Sequence, residues 1–254
     1  MRPASVGFQC PECVAEGRKS QRVGRTAFGG KVHARDTLVT VSLIAVNVVI
    51  FLVVTALGPA GDQLVLELSM LSGEVPLRGI GPDSGVAAGE FWRIITSSFV
   101  HTGFLHLLFN MVAIGFIGPN LERVLGRWRY LALFLLSCLT AGTAVYWLSP
   151  PAALTYGASG GVFGLLAAAL VVYRKQGYDV SALLLLLGVN LFFTFSVPNI
   201  SWQGHIGGLV GGLITAAALA YAPRRGRTAL HSAAFVGLTV LCVALIAARS
   251  FMLS

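Results

Sequence analysis

Seven apolar segments alternate with polar and basic stretches along the 254 residues of this chain. A helix that crosses a bilayer core needs about 20 mostly apolar residues, and in lipid its backbone groups must be paired within the segment. These lengths fit helices and not barrel strands, so the pattern predicts an all-α polytopic membrane protein with seven spans. The predicted spans cover residues 38–57, 96–117, 130–148, 159–173, 180–197, 203–222 and 228–248.

The seven segments differ in how many polar residues they contain. The first, third and seventh are almost purely apolar, whereas the second, fourth and sixth contain histidines, Asn110, Ser159 and many glycines. We therefore expect the first group to be scaffold and the second to hold the functional residues. The fourth segment, of about 15 residues, is too short to cross a core of about 30 Å at 1.5 Å per residue. Its outer end, with Ser159, is predicted to lie below the membrane surface in a water-accessible cavity.

Composition and charge favour the same class of protein. Hydrophobic residues make up 56% of the chain and charged residues 11%, against about 25% charged residues in soluble domains. The net charge of +8 could indicate nucleic-acid binding, but the basic residues are spread over four separate segments without an aromatic-rich patch. With the N-terminus in the cytoplasm, 15 of the 18 lysines and arginines fall on the inside. Because basic loops face the cytoplasm, we expect a cytoplasmic N-terminus, an outer C-terminus and no nucleic-acid partner.

The first 37 residues are polar and basic and contain no apolar stretch typical of a cleaved signal peptide. Cys10 and Cys13 form a C-P-E-C pair, which has the spacing of half a zinc site. Zinc needs four ligands, and His33 is the one further candidate in this segment. A partial zinc knuckle and a cysteine pair without metal therefore remain alternatives.

His101, His106 and His205 lie within or at the edge of the second and sixth predicted spans, where an ionisable side chain is costly and indicates function by default. The alternative is a hydrogen bond between helices, worth about 0.6 kcal/mol on average. His106 and Asn110 are four residues apart and share a helix face, so both could donate to one point. His101 would lie about 140° around the same helix. We therefore expect His101 to be a structural hydrogen-bonding residue outside that cluster.

Ser159 stands between glycines where the fourth segment begins, and His205 opens a glycine-rich sixth segment. An N-cap is the alternative role for a serine at a helix start. Glycines at four-residue spacing let two helices approach closely, and packing these two faces together would bring His205 against Ser159. A serine beside a histidine forms a nucleophile and its general base, with His106 and Asn110 as donors to a developing oxyanion.

Several motifs in order along residues 38–222 resemble the rhomboid family of intramembrane serine proteases. Each motif is weak alone, but their order and spacing over separate spans make the resemblance specific. The matching features are Trp92-Arg93, the H-x4-H-x3-N pattern of His101, His106 and Asn110, Glu122 with Gly126, the G-x-S-G from Gly157 to Gly160, and His205 before a glycine-rich helix.

The resemblance implies that Ser159 is the nucleophile, that His205 is its base, and that no third acid or cofactor is required. It implies an oxyanion hole formed by His106, Asn110 and the Ser159 backbone N–H. The family often has a tyrosine that stacks on the catalytic histidine, and here Phe163 stands at that position. The structural or supporting positions it implies are Trp92, Arg93, His101, Glu122 and Gly157.

The resemblance also implies a six-helix core at residues 38–222, preceded by a cytoplasmic segment at 1–37 and followed by a seventh helix within 223–254. The C-P-E-C pair resembles the end of a zinc-binding module that precedes some actinobacterial rhomboids.

The implied activity is cleavage of single-pass membrane proteins through an acyl-enzyme. It would take place in the plasma membrane, at a site that opens toward the outer face. A rhomboid-like protein that binds clients without cleaving them, and a histidine-lined transporter, are the alternatives.

Overall fold

The computed structural model describes residues 2–3, 7–20, 24–30, 37–73 and 84–253. At the N-terminus, strands β1 (Arg2–Pro3) and β2 (Phe8–Gln9) pair antiparallel with Arg2 opposite Gln9, and helix α1 (Pro11–Ser20) follows. The other regular elements in the described part of the chain are helices. They are α2 (Leu38–Ala56), α3 (Pro59–Leu68), α4 (Arg93–Thr96), a 3₁₀ turn (Ser97–Phe99), α5 (Phe104–Leu125), α6 (Arg127–Leu148), α7 (Ser159–Lys175), α8 (Ser181–Ser196), α9 (Trp202–Tyr221) and α10 (Arg227–Leu253).

Each of the seven predicted segments overlaps one of these longer helices. Among the described residues, α2, α5, α6, α9 and α10 are long and apolar enough to cross a membrane. Helices α7 and α8 are shorter, with 17 and 16 residues. The predicted fold class, an all-helical polytopic membrane protein, is confirmed.

The second predicted span was wrong by about eight residues, because its helix α5 covers Phe104–Leu125 and not 96–117. The chain first makes the short helix α4 and the 3₁₀ turn, and at Val100 and Gly103 the backbone is extended. At its other end, α5 continues through Pro119 to Leu125. Proline removes one backbone donor, but here the helix absorbs that loss without ending.

The centre of the fold is a close approach of α7 and α9. A Cβ atom at Gly208 would overlap the backbone of Gly160, and one at Gly212 would overlap the backbone of Gly164. The predicted packing of the two glycine faces is therefore confirmed. Helix α6 covers the same pair, since Gly207 lies against Ala144.

The segment between α2 and α4 anchors the loop that leads to Ser159. Met70 and Thr155 exchange two backbone hydrogen bonds of 2.8 and 3.0 Å, and the N–H of Gly157 donates to the carbonyl of Ser97 at 2.8 Å. Because these bonds cross between distant parts of the chain, they fix the loop that enters α7.

Two buried charged residues tie helices and loops together. The Glu122 carboxylate accepts bonds from the Val39 N–H at 2.9 Å and from the Thr40 N–H and hydroxyl at 2.8 Å. It thereby joins the end of α5 to the start of α2, where the helix dipole favours negative charge. Arg93 is fully buried, pairs with Glu90 at 2.6 Å and donates to carbonyl groups at the end of α3. The neighbouring Trp92 is 52% exposed and donates a long bond of 3.4 Å to the Glu67 carbonyl.

Candidate active site

Ser159 is the first residue of α7, and Ala158 is the N-cap. The alternative role of Ser159 as an N-cap is therefore wrong. The first N–H groups of a helix have no partner within it, so they are available at the position of the serine. Gly157 has a φ of +116°, and a Cβ atom there would lie 2.5 Å from Cε1 of His106. The loop before Ser159 therefore requires glycine both for its backbone conformation and for space.

His205 lies in the first turn of α9, and its Nε2 is 2.9 Å from the Ser159 Oγ. Ser201 starts that helix, with its side chain accepting a bond from the Gly204 N–H at 3.3 Å. The structure thus brings together the two residues that the sequence placed 46 positions apart.

Phe163 lies one turn after Ser159 and covers one face of the His205 ring. The two ring centroids are 4.3 Å apart and the planes are inclined by 19°, so the rings are stacked. The resemblance to the rhomboid family implied this stacking, and the contact limits the orientations available to the imidazole.

His106, Asn110 and His101 form one cluster. The Asn110 Nδ2 donates to the His106 carbonyl at 3.0 Å and lies 3.3 Å from the His101 Nε2. The His101 and His106 rings meet edge to face with centroids 5.0 Å apart. His101 is fully buried, and its Nε2 lies 3.4 Å from the Ala158 N–H.

The expectation that His101 lies outside this cluster was wrong. That expectation placed His101 on the same helix as His106, but α5 begins only at Phe104. The chain turns before the helix, so the rotation of 100° per residue does not apply to His101. Its contacts include hydrogen bonds with the Asn110 side chain and the Ala158 N–H, and its structural role stays a prediction.

A cavity of about 510 Å³ connects these groups. Its wall comes from several helices and from the loop that precedes α7, and it includes Ser159, His205, His106 and Asn110. Ser159 and His205 are half-buried. The arrangement combines a hydroxyl, an imidazole and several N–H donors at one enclosed surface.

Sequence reasoning missed Thr194, on α8. Its Oγ1 lies 2.7 Å from the His205 Nδ1, the ring nitrogen that faces away from the serine. A signal was available, because Asn190 and Thr194 are polar residues four positions apart in the interior of a mostly apolar segment. Such spacing puts both residues on one helix face, but it does not identify the neighbour they contact.

The described residues contain no group of three or more histidine, cysteine, aspartate or glutamate side chains arranged to hold a metal. Cys10 and Cys13 are exposed, and hydrogen bonding from the backbone of Cys13 lowers the pKa of the Cys10 thiol below its usual value. His33, the other candidate ligand, lies outside the described residues. The partial zinc knuckle stays a prediction.

Comparison with known proteins links this geometry to a family. A model described as a Rhomboid domain matches residues 88–222, more than half of the chain. The rhomboid protease GluP of Bacillus subtilis is 39% identical over 150 residues, covering 56% of this chain and 28% of GluP. The YdcA protein of the same species is 37% identical over 139 residues, covering 53% of this chain and 70% of YdcA. RHOMBOID-like protein 5 of Arabidopsis thaliana is 34% identical over 182 residues, covering 67% of this chain and 58% of that protein.

Proposed function

Because the chain belongs to the rhomboid family, we propose that it is a serine endopeptidase that cleaves membrane-spanning segments of other proteins. One observation carries the proposal. The Ser159 Oγ and the His205 Nε2 lie 2.9 Å apart at a shared cavity within a bundle of apolar helices. A nucleophile and a base within hydrogen-bonding reach are what covalent hydrolysis of a peptide requires.

In the proposed reaction, the Ser159 Oγ attacks the scissile carbonyl carbon while the His205 Nε2 takes the hydroxyl proton. The tetrahedral intermediate collapses, the C–N bond breaks, and His205 returns the proton to the leaving amine. Water then attacks the acyl-enzyme with His205 again as base, which releases the new carboxyl group and restores the serine.

The proposed oxyanion hole combines three donors around the cavity. The Ser159 N–H stands in the first turn of α7, where helix N–H groups are unpaired and carry partial positive charge. His106 and Asn110 line the same cavity. The two amide hydrogens of Asn110 are directed at His101 and at its own helix in the free protein. Asn110 would therefore exchange the longer bond, of 3.3 Å to His101, for one to the oxyanion.

The proposed substrates are single-pass membrane proteins. A peptide bond can reach Ser159 only if the substrate helix unwinds, and unwinding exposes backbone groups that lipid cannot satisfy. We therefore expect preferred substrates to carry glycine or other helix-weakening residues beside the cleaved bond. We propose that the protein lies in the plasma membrane, and the distribution of lysine and arginine supports a cytoplasmic N-terminus and an outer C-terminus. The cavity would open toward the outer face.

The test is covalent labelling of the purified full chain with a fluorophosphonate, together with cleavage of a single-pass transmembrane substrate. We expect wild type to be labelled and active, and Ser159→Ala to lose both properties. Ser181→Ala is the matched control, because Ser181 is exposed at the start of α8. Near-wild-type cleavage by Ser159→Ala would overturn the proposal. An unlabelled wild type that still retains client proteins would instead support the non-catalytic alternative.

A further inference from the structure

The His205 imidazole has a polar neighbour at each ring nitrogen. Nε2 lies 2.9 Å from the Ser159 Oγ, and Nδ1 lies 2.7 Å from the Thr194 Oγ1. We propose that Thr194 is a positioning residue that holds His205 in the tautomer protonated on Nδ1, so that Nε2 is free to accept the serine proton. This inference rests on the proposed function.

The single hydrogen of the Thr194 hydroxyl limits the direction of its bond to the His205 Nδ1. A threonine hydroxyl has one hydrogen to donate and two lone pairs to accept with. The Asn190 carbonyl oxygen lies 2.7 Å from the Thr194 Oγ1, and a carbonyl oxygen can only accept. We assign the hydroxyl hydrogen to Asn190, because threonine often bonds in this way to the carbonyl four residues earlier. Toward His205, the Thr194 oxygen can then only accept.

The acceptor at Thr194 determines the protonation state of the ring. The His205 Nδ1 must carry a hydrogen to bond with it, and a neutral imidazole carries a hydrogen on one nitrogen only. The Nε2 lone pair then faces Ser159, as a general base requires. In the opposite tautomer, Nε2–H would donate to the Ser159 Oγ and could not take its proton.

Thr194 can also stay bonded to His205 after the imidazole has become positively charged. Once Nε2 has taken the serine proton, both ring nitrogens carry hydrogens and both are donors. The Thr194 oxygen keeps the Nδ1 hydrogen paired throughout this step. A hydroxyl does so without placing a carboxylate at membrane depth, where an ionised group is costly. The sequences of α7, α8 and α9 contain no aspartate or glutamate.

Burial makes this bond hard to replace. Thr194 is 3% exposed, and among residues 181–196, all of which the structure describes, it is the one buried side chain. Phe163 covers a face of the imidazole, so the ring is bounded by an aromatic plane and a hydroxyl. Removing the hydroxyl would leave a buried N–H without a partner and would favour the unproductive tautomer.

The experiment measures kcat and KM for cleavage of a single-pass transmembrane substrate by the full chain in detergent micelles. Thr194→Val removes the acceptor with little change of shape, and Thr194→Ser retains it. Thr239→Val is the matched control, since Thr239 makes the same kind of bond to its own helix, at 2.9 Å, on an exposed face of α10.

We expect Thr194→Val to lower kcat about ten- to a hundredfold, because a buried donor loses its partner on the way to the transition state. We expect its KM to change less than about twofold and Thr194→Ser to restore most of kcat, because the substrate-lining surface is retained. Equal kcat values for Thr194→Val and Thr239→Val would overturn the inference. A kcat of Thr194→Ser as low as that of Thr194→Val would also overturn it. These outcomes require an active wild type, whereas an inactive wild type would contradict the proposed function itself.

A second measurement keeps the inference falsifiable if Thr194→Val does not fold. Nitrogen NMR of wild-type protein labelled in histidine distinguishes protonated from bare ring nitrogens, and comparison with His205→Asn identifies the His205 signals. A protonated Nδ1 and a bare Nε2 on His205 are expected at neutral pH. A neutral His205 protonated on Nε2 would overturn the inference.

Discussion

The α7–α9 pair and the helix α8 are packed in opposite ways. Between α7 and α9, glycines bring two backbones into direct contact. Helix α8 instead directs most of its large apolar side chains outward, and its one buried side chain among residues 181–196 is Thr194. We therefore expect the backbone contact of α7 with α9 to set the Ser159–His205 distance. Helix α8 instead contributes the Thr194 bond to His205 and places Asn190 in the cavity wall. Substitutions in the two regions should therefore differ in their effects.

The largest effect is expected from leucine at a glycine of the α7–α9 contact. Gly208→Leu would place a side chain on the backbone of Gly160 and force the two helices apart. We expect fluorophosphonate labelling of Ser159 to be lost. Gly188→Leu is the matched control on α8, since a Cβ atom at Gly188 meets nothing within 4 Å. Equal labelling of the two variants would show that the contact does not set the Ser159–His205 distance.

The next effect concerns His106 on α5, which lines the cavity beside the α7–α9 pair. His106→Ala is expected to lower kcat about 10²- to 10³-fold, the usual cost of removing one oxyanion donor. Leu105→Ala, at an exposed neighbouring position, should leave kcat unchanged. Steady-state cleavage of a transmembrane substrate measures both variants. A His106→Ala enzyme within a few-fold of wild type would exclude His106 from the oxyanion hole.

A matched pair of leucines compares the two regions directly. Leu165 on α7 is fully buried, and Leu185 on α8 is 71% exposed. Leu165→Ala should leave a cavity and destabilise the fold by about 2 kcal/mol, near the low end of the range for buried leucines, because lipid also solvates apolar side chains. Leu185→Ala should be close to neutral. Unfolding titrations in mixed detergent micelles give the two free energies, and equal values would contradict the comparison.

The smallest effect is expected away from the cavity, at the tie between α5 and α2. Glu122→Gln retains the shape of the side chain but weakens the three bonds from Val39 and Thr40, so we expect a loss of about 1–2 kcal/mol in the free energy of unfolding. Once folded, the variant should be labelled at the wild-type rate. Glu67→Gln, at an exposed residue of α3, is the control. A labelling rate that falls with stability intact would place Glu122 in the reaction.

Regular periodicity explains which parts of this protein could be predicted. The helices follow from apolar segments, and the contact of Gly160 with Gly208 follows from four-residue spacing on two helices. Each of these inferences depends on repeats within a helix, which the order of residues encodes directly.

Periodicity fails where the chain leaves a helix or where two helices meet without a repeated pattern. His101 was assigned to the wrong face because the turn before α5 has no sequence period. Thr194 was missed because one hydroxyl on an apolar helix does not reveal its partner. The boundary of α7 that makes Ala158 the N-cap depends on bonds from the preceding loop to Ser97 and Met70, which are distant in sequence.

The order of residues was enough to predict the all-helical membrane fold, the contrast between purely apolar spans and spans with polar residues, and the approach of Ser159 to His205 through glycine faces. These features come from composition and from spacing within single helices. The groups around the imidazole depend on how the helices pack, which puts Phe163 on its face, Ser159 at Nε2 and Thr194 at Nδ1. The physical reason is that a hydrogen bond needs atoms within about 3 Å in a defined direction. Only the packed arrangement of α7, α8 and α9 sets those distances.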